Sequence, residues 1–308
     1  MAYHMLAEGL PPGPSSLDDL SLWPEQMLID YYSKSGAGAA ALRRTASLLQ
    51  HGLVVHSDCS GKLTPEFCLK LFGLAAKVVN LTLPPDWLVL WRCCDSAPAC
   101  QRFVLNCGNN GPVHTFDSLV GKLGAAAQKH IASLRPAKDD SRDDREASYG
   151  AMRDFLVKNK KALFGRDKMS SNCIKHPGSS CRLSWQDPDG IDELSRPLTC
   201  CVAGTPCRPF SNMSIAQKLG HSDMEAFYLW VTDASTQSYD FVMLENSDLF
   251  MESLFTDGLG NDFDPKFCKF GSQEQGWPTR RSRYYGVGIA DSIWACLVSS
   301  LVLCANAL

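Results

Sequence analysis

The sequence predicts a doubly wound α/β domain, and three observations carry that expectation. Short, near-continuous apolar runs recur along the chain, as expected for strands covered by helices on both faces. A run of helical period separates the first two, which makes a strand–helix–strand unit and hence a parallel sheet. The same alternation resumes after residue 196. The first strand is GLVVHSD (52–58), followed by the helical run EFCLKLFGLAAKVV (66–79) and a second strand, DWLVLWRCCD (86–95). Later come PLTCCVAG (197–204), a helix around MEAFYLWVTDA (224–234), DFVMLEN (240–246) and a last strand, RYYGVGIA (283–290).

Composition narrows the class. The 308 residues are 45% hydrophobic and 20% charged, which excludes wholesale disorder, collagen and a long coiled coil. A net charge of −3 argues against a broadly basic nucleic-acid coat and leaves room for a local basic groove. No repeat of roughly 20–50 residues stands out. The fourteen cysteines include the adjacent pairs Cys93–Cys94 and Cys200–Cys201, which suit buried thiols better than bridges. The first residues lack the basic and apolar regions of a secretory signal. A reducing compartment is expected, nuclear or else cytoplasmic.

Residues 1–50, with Pro11, Pro12, Pro14 and a GAGAAA stretch, read as a loosely ordered leader with room for one short helix. The main folded unit is then expected over 51–290. It carries a charged insertion at about 122–196, read as solvated surface; a second reading has Lys158, Lys160 and Lys161 touching a phosphate backbone. Inside it Cys173, His176 and Cys181 suggest a metal site. Their spacing fits no zinc pattern well and no clean fourth ligand follows, so no metal is expected. The uncharged stretch 292–308 sits at the short edge of a bilayer span, for which about 20 residues are needed. Packing over a sheet edge or plain exposure is favoured there over a membrane anchor.

Ligands of open α/β sheets bind beyond the strand ends, so the residues after each strand matter most. The first strand runs into Asp58-Cys59-Ser60-Gly61-Lys62, a small-residue turn leading to a helix start, where backbone N–H groups can meet an anion. Asp95 ends the second strand, where ribose hydroxyls are gripped in such folds. After PLTCCVAG comes Gly204-Thr205-Pro206-Cys207-Arg208-Pro209-Phe210-Ser211. A cysteine framed by prolines sits on a stiff loop with its thiol displayed. A nearby helix start and Arg208 would both favour the nucleophilic thiolate. Glu245, ending the next strand, places a carboxylate at the same edge. Arg281 and Arg283 alternate before the last strand, so both can point one way.

In this order the motifs resemble the cytosine C5 methyltransferase family, over about residues 52–290. DCSGKLTPE resembles the first cofactor motif. Asp95 with Ala99 and Asn106 resembles the second, and Asp117 in HTFDSL the third. GTPCRPFS resembles the nucleophile motif, LEN the carboxylate motif and PTRRSRYYGVG the arginine-pair motif. The resemblance implies a Rossmann-like methyltransferase fold with a mostly parallel sheet. It further implies methyl transfer from S-adenosylmethionine to C5 of cytosine in DNA, or alternatively in RNA such as tRNA. Cys207 would attack C6, Glu245 would protonate N3, Arg283 would hold the ring oxygen, and Arg281 would support the site. The cofactor would lie along Asp58, Ser60, Gly61, Asp95, Asp117 and Pro206, and the target base would be flipped or unpaired.

The chain departs from the family pattern in named places. Lys62-Leu63-Thr64 stands where a second glycine is usual, Cys93 where a ribose-binding glutamate is usual, and Thr279 where a glutamine precedes the arginine pair. After Arg283 the ending DSIWACLVSSLVLCANAL matches neither a target-recognition lobe nor a closing glycine-asparagine segment. A truncated enzyme, or a non-catalytic interaction module of the same fold, is therefore also compatible with the sequence.

Overall fold

The structure, a computed structural model, describes residues 36–78, 80–165, 170–187, 191, 195–211, 218–271 and 282–293, with Gln26 and Ile29 besides. Helix α1 (Gly36–Leu48) leads into β1 (Leu53–Asp58), α2 (Thr64–Val78), β2 (Leu88–Cys94), α3 (Pro98–Asn106) and β3 (His114–Phe116). Helices α4 (Ala125–Leu134), α5 (Arg142–Lys158) and α6 (Lys160–Phe164) follow, then a hairpin of β4 (Ser170–Asn172) and β5 (Ser180–Arg182). The chain returns through β6 (Leu198–Ala203), α7 (Met224–Thr236), β7 (Phe241–Ser247), α8 (Glu252–Leu259), β8 (Phe263–Gly271) and β9 (Ser282–Ala290).

Seven strands make one sheet in the order β3-β2-β1-β6-β7-β9-β8. Every neighbouring pair is parallel except those made by β9, which runs against β7 and β8. The chain winds outward from β1 to β3, crosses back to β6 beside β1, and winds out the other way. That reversal leaves a crevice beyond the carboxyl ends of β1 and β6, where open α/β sheets take their ligands. The doubly wound class read from the apolar runs is therefore the class observed. All six residues of β1 are buried, as a central strand covered on both faces requires.

The insertion is where the expectation fails. Residues 122–196 are not a solvated excursion: Ile131, Met152, Leu156 and Leu183 are fully buried, and Tyr149 and Phe164 nearly so, all in the main core cluster. In α5 the buried Tyr149, Met152 and Leu156 recur at helical spacing while the charged residues occupy the other face. Dense charge hid an amphipathic helix. The strands β3 and β8 carried no clear signal either. The first has only three residues, and the second, FDPKFCKFG, lies at the sheet edge, where Pro265 is tolerated.

A buried charge quartet ties the two windings together. Arg92 Nη2 contacts Asp58 Oδ2 at 3.1 Å and Asp233 Oδ2 at 2.9 Å, and Lys122 Nζ contacts Asp58 Oδ1 at 2.5 Å and Asp233 Oδ2 at 3.4 Å. These side chains are at most 2% exposed, and the two positive charges balance the two negative ones. Burial alone would raise the Asp58 carboxyl, but Arg92 and Lys122 outweigh it and hold it below the usual carboxylate range. Among the described residues no helix is long and apolar enough to cross a membrane. Most of the leader, Arg281 and residues 294–308 lie outside the described residues.

Candidate active site

The turn after β1 is built from left-handed residues: Cys59, Gly61 and Leu63 have φ of 51°, 54° and 59°. Glycine adopts that region freely, whereas each L-residue there is strained by roughly 1–2 kcal/mol. Burial of Leu63, 2% exposed, holds the turn in place. Ser60 staples it to β2, its hydroxyl donating to the carbonyls of Ser57 (3.0 Å) and Cys94 (3.2 Å) and accepting from the Cys94 N–H (3.1 Å). The Gly61 N–H donates to Asp95 Oδ2 at 2.8 Å, and Asp95 Oδ1 accepts from the Ala97 N–H at 2.8 Å. Gln101 Nε2 bridges the carbonyls of Asp95 (2.8 Å) and Asp117 (3.3 Å), so the ends of β2 and β3 are held side by side.

These contacts sort the residues expected to hold a cofactor. Gly61, Asp95 and Asp117 do gather at one sheet edge, with Asp95 half-buried and Asp117 exposed. Ser60 is at the same edge, but its buried hydroxyl is consumed by the staple. Asp58 is a correction: its carboxylate turns into the quartet under the sheet, so it is a structural charge and not a cofactor contact.

Across the crevice, β6 ends at Ala203 and the loop carrying Pro206 and Cys207 begins. Both residues are half-buried. The loop is clamped on each side of the thiol: Asn246 Nδ2 donates to Thr205 Oγ1 (2.9 Å) and to its carbonyl (3.3 Å), and Ser247 Oγ donates to the Phe210 carbonyl (2.8 Å). The short turn Arg208–Phe210 closes on the Cys207 carbonyl, which accepts from the Phe210 N–H at 3.0 Å. Arg208, expected to favour the thiolate, is instead held by Asp223 through two hydrogen bonds of 2.8 and 2.9 Å.

Glu245 and Arg283 are brought together. Arg283 Nε lies 2.7 Å from Glu245 Oε1, a consequence of the antiparallel register that sets Ser247 opposite Arg283 and Glu245 opposite Tyr285. The other oxygen, Oε2, lies toward the loop: a methyl group built on Gly204 would sit 3.5 Å from it and 3.7 Å from the Cys59 carbonyl. Gly204 is therefore the point where the turn after β1, the thiol loop and the carboxylate converge. Asn246, fully buried between β7 and the thiol loop, was missed by the sequence reading, which took only the glutamate from LEN. The other cysteines nearby are poor nucleophile candidates. Burial pushes Cys93 and Cys200 up to about 12, and Cys59 higher still.

No protein-family model matches the chain, and no curated protein matches it. Among solved structures it is similar to a DNA modification methyltransferase encoded within an E. coli prophage, with 14% identity, a TM-score of 0.38, and coverage of 79% of this chain and 48% of that one. The S. pombe Dnmt2 methyltransferase gives 11% identity, a TM-score of 0.37, and coverage of 78% and 50%. The Entamoeba histolytica methyltransferase EhMeth gives 12%, 0.34, and 77% and 53%. The chain spans about half the length of each of these structures.

Proposed function

We propose that this chain is the catalytic domain of an S-adenosylmethionine-dependent cytosine C5 methyltransferase acting on DNA, and with that substrate a nuclear protein. The observation that carries the reading is the convergence at Gly204. A clamped, half-buried thiol loop, a carboxylate and its arginine partner lie at the crevice between the two windings, opposite the Gly61–Asp95 turn.

The residues have work that fits this chemistry. Cytosine C5 is a poor nucleophile, so the ring must first be attacked at C6, and the Cys207 thiolate is the group displayed to do it. Glu245 would hold a proton at its carboxyl for N3 as charge builds on the ring, and Arg283 would stabilise the developing negative charge at the ring oxygen. The 2.7 Å contact between them keeps both side chains preset at the β7–β9 edge until a base enters. The clamp by Asn246 and Ser247 limits the loop's motion and holds the thiol in one place.

The residues present fit a bound S-adenosylmethionine on one side: a half-buried Asp95 and an exposed Asp117 at adjacent strand ends present carboxylate oxygens with lone pairs to spare. When bound, the cofactor supplies an electrophilic methyl group. Loss of the C5 proton to solvent would then free Cys207 by elimination.

Duplex DNA carrying 5-fluorocytosine tests the reading, because the fluorine cannot leave as a proton does. Wild type is expected to form a stable adduct in the presence of S-adenosylmethionine, and Cys207→Ser none. An adduct on Cys207→Ser, or none on a wild type that transfers methyl groups, would overturn it. The same experiment on tRNA decides between the two nucleic acids.

A further inference from the structure

The β4–β5 hairpin carries a second constellation, remote in sequence from the thiol loop. Cys173, His176 and Cys181 lie on it, and His114 opens β3 beside it. One ligand atom from each of the four falls within 4.8 Å of all the others. His176 Nδ1 is 3.4 Å from both the Cys173 and the Cys181 sulfur. With Zn–S near 2.3 Å and Zn–N near 2.0–2.1 Å, a tetrahedral zinc sets sulfur-to-nitrogen edges of about 3.6 Å and a sulfur-to-sulfur edge of about 3.8 Å. Two of the edges are already near that size, and none of the rest needs to close by more than about 1.5 Å.

Second contacts suit a metal as well. The Thr115 N–H donates to the Cys173 sulfur at 3.4 Å, the kind of bond that steadies a thiolate ligand. His114 Nδ1 is buried and makes no hydrogen bond, an uncompensated polar atom of the kind a folded chain seldom leaves. The loop between the cysteines is shaped to bring them together. The His176 N–H donates to the Cys173 carbonyl (3.2 Å), the Ser179 N–H to the His176 carbonyl (3.0 Å), and Gly178 takes a φ of 80°.

We propose that His114, Cys173, His176 and Cys181 bind one zinc ion as a closed, structural site. Two thiolates and two neutral imidazoles balance the divalent charge, and binding releases the two thiol protons to solvent. A set of two sulfurs and two nitrogens in tetrahedral reach selects zinc over the hard cations that prefer oxygen. The ion clips the hairpin to β3, the outermost strand of its winding. Around it the Ile174 N–H already meets the Thr115 carbonyl at 2.8 Å, and Lys175 Nζ meets the Pro112 carbonyl at 2.7 Å. An exposed edge strand is thereby covered, and the turn bearing Asp117 is held.

The test is metal analysis of the full 308-residue chain, purified under reducing conditions, reconstituted with zinc and dialysed. About one zinc per chain is expected in wild type and in Cys268→Ser, an exposed thiol remote from the site, with near-complete loss in Cys181→Ser and His114→Ala. Should those variants fail to fold, cobalt reconstitution of wild type decides: tetrahedral ligand-field bands with thiolate charge-transfer absorption support the site. Wild type with neither stoichiometric zinc nor those cobalt bands would overturn it, as would folded Cys181→Ser and His114→Ala retaining the metal.

Discussion

At the scale of the residue, the thiol and its carboxylate are the groups whose removal is most informative. Glu245→Gln keeps the shape and loses the proton that the proposed reaction would deliver to N3, so turnover is expected to fall by roughly 10²- to 10⁴-fold. Methyl transfer to duplex DNA checks this, and an unchanged rate would leave Glu245 as no more than the partner of Arg283. Glu66 makes a different point. It is 2% exposed on α2, and burial raises its carboxyl above the ordinary 4.5, with the Ser57 hydroxyl only moderating the shift. A raised value means that its contribution to stability is complete below about 4.5 and is lost as pH rises through the folded-state value. Glu66→Gln is therefore expected to stabilise the chain at pH 7 by about 1–3 kcal/mol, with the gain vanishing toward pH 4.5. Urea titrations of both proteins at the two pH values measure it, and equal stability at pH 7 would mean that the buried carboxylate is compensated.

At the scale of the element, β7 does two jobs with consecutive residues. Glu245 looks toward Gly204, while Asn246 and Ser247 hold the loop that carries Cys207. Asn246→Ala is expected to slow covalent trapping by about tenfold or more, because misplacement of about 1 Å suffices for such losses. Cofactor affinity measured by calorimetry should not change, and a parallel loss of both would point to general unfolding instead. The quartet of Asp58, Arg92, Lys122 and Asp233 joins β1, β2, the turn after β3 and α7. Lys122→Met leaves the quartet with one uncompensated negative charge in the interior, which is expected to destabilise the fold by about 3–5 kcal/mol. Thermal or chemical unfolding reads this directly; a loss below about 1 kcal/mol would mean that water reaches the site.

At the scale of the whole molecule, the stretch between the two windings belongs to the core. Helix α5 packs on α7 through Tyr149, Met152 and Leu156, and Leu183 from the hairpin strand region lies in the same cluster. Leu156→Ala should then cost about 2–5 kcal/mol, as for any fully buried leucine, where a solvated helix would lose less than about 0.5 kcal/mol. An unfolding midpoint equal to wild type would return residues 122–196 to the surface. The same stretch brings the hairpin to β3, so the proposed zinc clip and the Asp117 turn depend on one packing arrangement.

The sequence by itself determined the class of the fold and the order of the residues on which the proposed chemistry rests. Its central strands are apolar runs long enough to be read without neighbours, and Cys207 and Asp95 follow the ends of such strands, with Glu245 close to the end of another. It also set the buried character of Cys93, Cys94, Cys200 and Cys201, since they lie inside those runs. Tertiary structure decided the rest. Asp58 and Arg208 read as functional groups because a lone charge beside a motif looks available, and only the fold shows the partners that consume them. Three-residue β3 carries no periodicity, so the edge it forms was invisible, and with it the histidine that completes the set on the hairpin. Glu245 and Arg283 meet because β9 runs antiparallel to β7, and Asp58 meets Lys122 because a helix turn folds back under the sheet. Pairing between distant segments is a property of the packed chain, and local pattern holds no record of it.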